Sequence, residues 1–217
     1  MHTESSFVIL LHGLARTSKA MNTLQKRLNK CGYRTLNISY PSTQHSIENL
    51  SDTVYDEIVQ RCLAHDPTHV HFVTHSMGGI ILRYIMKHRP ISCIGNTVML
   101  GPPNHGSEVV DKLRHLRIFH WLNGPAGQQL GTDERSIPQQ LGSATFPVGI
   151  IAGRKSINPL LSLLINKPND GKVSVESSKL NGMKDFVVMN TTHTFMMYNP
   201  QVIQQVIHFL EHGYFKR

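Results

Sequence analysis

Short apolar runs alternate with amphipathic segments along almost the whole of this 217-residue chain. Between the runs, apolar residues recur at helical spacing, as they do at Ile47, Leu50 and Val54. Continuous apolar strands that are connected by helices predict an α/β fold: a mostly parallel six-stranded sheet with helices on both faces. The six predicted strands are residues 7–11, 33–40, 70–74, 96–100, 147–152 and 186–189.

Polar residues that commonly begin helices stand before several of the amphipathic segments. Ser18 is predicted to cap the first helix and Ser46 the second, because a serine hydroxyl can accept a hydrogen bond from a free backbone N–H of the first turn. Asn199 and Pro200 predict the start of the last helix in the same way.

Two segments interrupt the alternation. Residues 107–146 contain an apolar helix candidate at 109–122, and residues 156–175 contain the apolar run 159–165. Both follow the carboxyl end of a predicted strand, which is the side where open α/β sheets bind ligands. We therefore expect one domain over residues 1–217, with residues 107–146 forming a lid-like or pocket-forming insertion.

Composition limits the classes of partner. The content of 40% hydrophobic and 17% charged residues is typical of a globular chain. The net charge is +8, but Lys and Arg are scattered and form no basic run interleaved with aromatic residues, so no nucleic-acid partner is predicted.

No apolar run has the roughly 18 residues of a membrane span. The first strand begins too early to leave room for a signal peptide, which predicts a cytoplasmic location; export stays open if a leader has been removed. The oligomeric state is left open.

Neither the cysteines nor the clustered histidines predict a metal site. Cys31 and the two other cysteines are widely separated and fit no zinc or redox spacing, so reduced thiols in the core are expected. His69, His71 and His75 share one face of a predicted strand, a spacing that is compatible with a metal site. No carboxylate or thiolate stands near them in the sequence, and ordinary buried or rim histidines are the preferred interpretation.

Residues 71–79 read His-Phe-Val-Thr-His-Ser-Met-Gly-Gly and place Ser76 between a predicted strand and a predicted helix. A tight turn of this kind strains the backbone of the serine and lifts its hydroxyl above the sheet. Gly78 and Gly79 supply the space that such a turn needs. The free N–H groups at the start of the helix point at the space where an oxyanion would develop.

The His-Ser-Met-Gly-Gly segment resembles the nucleophile elbow of the α/β-hydrolase family in its lipase-like form, with Thr74 where the family pattern has its first glycine. Further similar motifs follow in the family's order: His12-Gly13, the Gly-Pro-Pro-Asn-His-Gly of residues 101–106, Asp170-Gly171 and His193. The resemblance covers nearly the whole chain. It implies the strand order 2-1-3-4-5-6, without the family's two N-terminal antiparallel strands.

Ser76 needs a base, and fourteen histidines compete for that role. A base should lie on a loop at the carboxyl edge of the sheet, after the last strand. His193 follows the sixth strand and precedes the last helix, where the family's catalytic histidine lies. The resemblance also implies the backbone N–H groups of Leu14 and Met77 as the oxyanion hole. For His12 and His75 we expect structural hydrogen bonding.

The acid of the family's triad lies between the serine and the histidine in the chain. Asp170 follows the fifth strand and resembles the family's acid loop in the sequence Asp-Gly-Lys-Val, so it is the predicted acid, with Glu176 as the alternative. The acidic residues in this interval are Glu108, Asp111, Asp133, Glu134, Asp170, Glu176 and Asp185.

These residues predict a serine hydrolase that cleaves carboxylic esters, acyl or lipid-like, through a Ser-His-Asp triad and an acyl-enzyme intermediate. No cofactor and no metal are implied, and the expected partner is a small-molecule or lipid-like ester. The same triad would serve an acyl thioesterase or an acyltransferase, which stay open as alternatives. A non-catalytic binding protein with the hydrolase fold is the remaining alternative.

Overall fold

The computed structural model describes residues 6–157, 165 and 167–217. Six strands form one sheet in the order β2-β1-β3-β4-β5-β6, and every neighbouring pair is parallel. The predicted fold class and strand order are confirmed. The strands are β1 (Ser6–Leu11), β2 (Arg34–Ile38), β3 (His69–His75), β4 (Ile94–Leu100), β5 (Val148–Gly153) and β6 (Asp185–Met189).

Helices connect the strands and cover both faces of the sheet. Short 3₁₀ turns at Ser18–Met21, Leu63–His65 and Met196–Tyr198 accompany them. The α-helices of the described chain are α1 (Asn22–Lys30), α2 (Ile47–Arg61), α3 (Met77–His88), α4 (Glu108–Leu113), α5 (Arg117–Gln128), α6 (Ile137–Gln140), α7 (Val175–Ser178) and α8 (Pro200–His212).

The strands carry apolar side chains on both faces, which explains why their sequences read as continuous apolar runs. In β1, Ile9 packs into the core beneath α2 and α3, whereas its neighbours Val8 and Leu10 pack beneath α1 and α8. All six residues of β1 are buried. Burial on two faces is the expected environment of a central strand in a parallel sheet.

Two of the three predicted helix starts are present. The Ser46 hydroxyl accepts a hydrogen bond from the N–H of Asn49, and the Asn199 side chain accepts one from the N–H of Gln201. The prediction that Ser18 caps the first helix is wrong. The chain forms a 3₁₀ turn from Ser18, and α1 begins later, at Asn22, without a side-chain cap.

Two helices, α4 and α5, cover the segment 109–122 of the insertion, where one helix was predicted. Its apolar residues do not share one helical face, because Val109 and Val110 are buried in α4 while Ile118 and Trp121 of α5 are exposed. The chain therefore breaks between the two helices, and α5 itself breaks again at Gly124, which has a φ of 60°.

The end of the insertion is held to α3 by a buried arginine. The Arg83 guanidinium donates hydrogen bonds to the backbone carbonyls of Asn104, Pro138 and Gly142 at 3.0, 3.0 and 2.7 Å, and to the side-chain oxygen of Asn104 at 3.2 Å. Burial lowers the pKa of Arg83 to about 10. These contacts fix residues that precede β5 against the helix that follows Ser76.

Within the described part of the chain, no helix is both long and apolar enough to cross a bilayer. Cys31, Cys62 and Cys93 are free thiols, and Cys62 is fully buried. The predicted apolar run 159–165 lies outside the described residues except for Ile165, which is buried.

Candidate active site

Ser76 lies at the turn between β3 and α3, in a strained backbone conformation. Its φ of 53° and ψ of −123° fall in a region that residues with a side chain rarely adopt. A hydrogen bond from its N–H to the carbonyl of Leu100 on β4 holds the turn against the sheet, at 2.9 Å. The turn directs the hydroxyl toward the carboxyl edge of the sheet, as the sequence predicts for a nucleophile.

Two glycines allow the chain to pack tightly around this turn. A Cβ atom on Gly78 would lie 2.7 Å from the carbonyl oxygens of both Leu11 and His12, so only glycine lets α3 begin this close to β1. A Cβ atom on Gly13 would lie 2.9 Å from Nδ1 of His75. The loop after β1 can therefore approach the turn at Ser76.

The His193 side chain connects Ser76 to Asp170. Its Nε2 lies 3.0 Å from Oγ of Ser76, and its Nδ1 lies 2.8 Å from Oδ2 of Asp170. An ionised carboxylate only accepts hydrogen bonds, so the proton of the neutral imidazole is assigned to Nδ1. Nε2 then presents a lone pair to the serine hydroxyl, which is the arrangement that a general base needs.

Asp170 is fixed by its own loop. Its Oδ1 accepts hydrogen bonds from the N–H groups of Lys172 and Val173 at 3.0 and 2.9 Å, and its backbone carbonyl accepts one from the N–H of His193 at 3.0 Å. The residue is 2% exposed. A Cβ atom on Gly101 would lie 3.0 Å from Oδ2, so a glycine is also needed beside the carboxylate.

Glu176, the alternative acid, has a different partner. It lies in the first turn of α7, and its carboxylate is bound by the Lys179 ammonium at 2.8 Å. The hydrogen bond from Lys179 lowers the pKa of Glu176. The structure therefore brings Asp170, and not Glu176, to the imidazole of His193.

The backbone positions of the predicted oxyanion hole lie on either side of Ser76. Met77 is the first residue of α3, where N–H groups have no partner within the helix. Leu14 follows Gly13 in the loop that packs against His75 and Ser76, and its side chain lines the same cavity as Ser76. Their role in binding an oxyanion stays a prediction.

A cavity of about 250 Å³ opens beside Ser76 and His193. Its lining is mostly apolar, and the insertion supplies five of the eight apolar lining residues. Such a mixture of apolar wall and a few polar groups is typical of small-molecule sites. The apolar lining residues are Leu14, Pro103, Val109, Val110, Leu113, Phe119, Leu130 and Val173.

His12 and His75 both make structural hydrogen bonds. The His12 ring stacks on Tyr40 with the ring centroids 3.9 Å apart, and its Nε2 accepts from the Tyr40 N–H at 3.2 Å. Nε2 of His75 lies 2.9 Å from the carbonyl oxygen of His193 and donates to it. Burial lowers the pKa of His12 and places that of His75 well below its ordinary value, so both rings are neutral.

The line of histidines along β3 does not converge on a common point. His71 Nδ1 bonds the carbonyl of Asn96, while His75 reaches the loop of His193. Across residues 6–157, 165 and 167–217, no three His, Cys, Asp or Glu side chains are arranged to hold a metal ion.

Sequence reasoning missed two cations in the cavity. Arg16 and Lys172 line it together with Ser76 and His193. Each stands two residues after a predicted site residue, Arg16 after Leu14 and Lys172 after Asp170. This closeness to predicted site residues was the one feature of the sequence that could have indicated them, but basic residues are scattered along the chain and nothing else distinguished these two.

Comparisons with known proteins agree with this fold. A model of the alpha/beta hydrolase family matches residues 8–164. The chain belongs to this family. No curated protein sequence matches the chain.

Solved structures show the same fold at low sequence identity. The mature lipase BlEst2 of Bacillus licheniformis has a TM-score of 0.73 and 17% identity, over 95% of this chain and 91% of that one. The product of the Listeria innocua gene lin2722 has a TM-score of 0.69 and 17% identity, over 99% and 96% of the two chains. Phospholipase PlaB of Legionella pneumophila has a TM-score of 0.66 and 20% identity, over 80% and 45%.

Proposed function

We propose that this protein is a serine hydrolase that cleaves carboxylic esters, with Ser76 as nucleophile, His193 as general base and Asp170 as the acid that orients His193. The observation that carries the proposal is the position of the His193 ring, with Nε2 at 3.0 Å from the Ser76 hydroxyl and Nδ1 at 2.8 Å from Asp170. Membership of the alpha/beta hydrolase family supports hydrolysis as the class of reaction.

In the first half of the reaction, Oγ of Ser76 attacks the ester carbonyl carbon while Nε2 of His193 takes the hydroxyl proton. The carbonyl oxygen becomes an oxyanion, which the N–H groups of Leu14 and Met77 stabilise. Collapse of this intermediate breaks the bond to the alcohol. His193 returns the proton to the leaving alkoxide, and the acyl group stays on Ser76 as an ester.

In the second half, His193 removes a proton from water as the water oxygen attacks the acyl-enzyme. A second oxyanion forms in the same position and collapses, and the proton on His193 goes to Oγ of Ser76. The products are one carboxylic acid and one alcohol for each water consumed. Asp170 stays ionised throughout and stabilises the imidazolium that forms in each half.

The apolar wall of the cavity supports an acyl group as the part of the substrate that lies beside Ser76. We propose that residues 1–217 act as one domain, in which residues 107–146 form the pocket wall and the lid-like insertion. Two of the similar structures are described as a lipase and a phospholipase, which supports lipid-like esters as the substrate class.

Labelling with a fluorophosphonate probe tests the central claim, because the probe reacts only with an activated serine. We expect the wild-type protein to be labelled and to hydrolyse short p-nitrophenyl esters. Ser76→Ala should abolish both signals, while the matched variant Ser51→Ala, at a buried serine of α2, should retain them. Labelling that persists in folded Ser76→Ala would remove Ser76 from the mechanism.

A substrate panel separates ester hydrolysis from the other reactions of such a triad. Esters, thioesters and esters with an added alcohol acceptor differ only in the leaving group or in the acceptor that attacks the acyl-enzyme. The proposal expects the highest kcat/KM for oxygen esters and free acid as the main product. Transfer of the acyl group to the alcohol as the dominant outcome would identify an acyltransferase.

A further inference from the structure

Two positively charged side chains face the cavity of Ser76. Arg16 lies in the loop that follows β1, and Lys172 lies in the loop that carries Asp170. Both line the cavity together with Ser76 and His193. The cavity therefore combines an apolar wall from the insertion with two cations that come from two different loops.

Neither cation has a partner in the described residues. The side chains of Arg16 and Lys172 make no hydrogen bond and no ion pair there. The carboxylate of Asp170 is bound by His193 through one oxygen and by two backbone N–H groups through the other. Elsewhere, carboxylates pair with Arg61, Arg89, Arg114 and Arg217.

The two charges act on each other and on the residue that precedes the nucleophile. Burial in the cleft and repulsion by Arg16 lower the pKa of Lys172, against the opposing attraction of Asp170. Burial lowers the pKa of His75, and repulsion by His193, Lys172 and Arg16 lowers it further. Like charges that face one cavity repel each other, and an anion that binds between them offsets this repulsion.

We propose that the natural substrate is an ester that carries a carboxylate or phosphate group, which Arg16 and Lys172 bind while the ester carbonyl lies against Ser76. The inference rests on the proposed function and specifies its substrate. The hydrocarbon part of such an ester packs against Val110, Leu113 and Phe119. Arg16 can bind an anion through two parallel N–H groups, and Lys172 adds a point charge.

Paired substrates of equal shape test the inference. For the carboxylate arm, mono-p-nitrophenyl glutarate is compared with its neutral methyl ester. For the phosphate arm, a lysophosphatidic acid is compared with the monoacylglycerol of the same acyl chain, and release of the fatty acid is measured. We expect kcat/KM to be at least tenfold higher for the anion in one arm, and the arm that responds identifies the anion. Added salt should reduce the preference.

Variants assign the preference to the two side chains. Arg16→Gln and Lys172→Gln should each lower the ratio of anionic to neutral kcat/KM by about fivefold to tenfold, as expected for a charged contact in a cleft. Lys26→Gln removes the same charge from an exposed position of α1 and should leave the ratio unchanged. Lys172→Glu should shift preference toward an ester that carries a trimethylammonium group. Circular dichroism and melting curves check that the variants fold.

The outcomes separate this inference from the proposed function. If the wild-type protein hydrolyses the neutral esters in a Ser76-dependent way but shows no preference for the anion in either arm, the anion site is wrong and the hydrolase stands. If the ratio persists in both glutamine variants, other residues hold the anion and the assignment to Arg16 and Lys172 is wrong. If no ester is cleaved, the proposed function fails.

Discussion

Nε2 of His75 donates a hydrogen bond to the backbone carbonyl oxygen of His193, at a distance of 2.9 Å. The two rings also lie against each other, with centroids 4.9 Å apart. His75 immediately precedes Ser76, so this bond joins the end of β3, next to Ser76, to the loop that carries His193. His75 is thus a candidate positioning residue whose loss would separate Ser76 from Nε2 of His193.

His75→Asn and His75→Gln form a matched pair for this contact. Nε2 of glutamine reaches the position of the imidazole Nε2, whereas the shorter asparagine does not. We expect His75→Asn to lower kcat about tenfold, the effect of a barrier raised by roughly 1.4 kcal/mol, with little change in KM. His75→Gln should restore most of the rate. Equal rates in both variants would show that this bond does not position the base.

Stability should fall as the solution becomes acidic, because the pKa values of His12 and His75 are lower in the folded protein than their ordinary value of 6.5. The unfolded chain then binds more protons than the folded one below that pH. We expect the free energy of unfolding to fall as the pH drops below about 6.5, with a slope of at most about 1.4 kcal/mol per pH unit for each of the two histidines. Urea titrations measure it, and His75→Gln should show a shallower slope than the wild type.

Gly78→Ala tests the close contact between α3 and β1. The added Cβ atom would lie 2.7 Å from two backbone carbonyl oxygens, which cannot move away as a side chain can. We expect a loss of about 2 kcal/mol in the free energy of unfolding, typical of overpacking. Gly79→Ala is the matched control in the same helix, because its nearest neighbours are side-chain atoms of Met99, Pro102 and Thr74, each at 3.3 Å, and alanine favours helix. A loss of the same size in both variants would contradict the close-contact explanation.

Arg83→Gln should loosen the end of the insertion. Loss of the Arg83 guanidinium leaves the carbonyl oxygens of Asn104, Pro138 and Gly142 buried without their charged donor. We expect the free energy of unfolding, measured by urea denaturation, to fall by about 3 kcal/mol. Proteolytic cleavage near residue 140 should accelerate. Arg61→Gln removes an arginine from a surface pair and should cost less than about 1 kcal/mol. An Arg83 variant as stable as the control would show that these hydrogen bonds contribute little.

Two aromatic residues of α5, Phe119 and Trp121, have different environments, and comparing them tests which one contacts the acyl chain. Phe119 lines the cavity, whereas Trp121 is 81% exposed. We expect Phe119→Ala to lower kcat/KM for octanoyl relative to acetyl esters about tenfold, because the longer chain loses apolar contact. Trp121→Ala should leave this ratio unchanged for soluble esters. No difference between the two variants would place the acyl chain elsewhere.

The strands, and their order in the sheet, could be predicted from the sequence. Their apolar runs are long, lie between polar loops and are buried on both faces, so local pattern and tertiary environment agree. The arrangement of Ser76, Asp170 and His193 follows from the strand order, since each lies at the carboxyl edge of the sheet. Their catalytic roles are proposals that the labelling experiment tests.

The insertion was harder to predict, since its pattern is ambiguous. An apolar residue such as Trp121 reads as core in a sequence, and only the three-dimensional arrangement shows that it faces solvent while Phe119 faces the cavity. That Arg16 and Lys172 line the same cavity was equally hard to predict, because the two residues are distant in the chain and come to the same site only in the folded protein. Ser18 failed as a cap because the local turn is 3₁₀ and α1 begins later.

The contact between Ser76 and His193 spans 117 residues of sequence. Ser76 follows β3, Asp170 follows β5 and His193 follows β6, so the reacting groups meet only after the last strand has joined the sheet. Closing such long loops is slow compared with forming local helices. Under the proposed function, we expect hydrolysis to recover later during refolding than helical circular dichroism, so that an ester substrate would serve as a kinetic probe of the completed sheet.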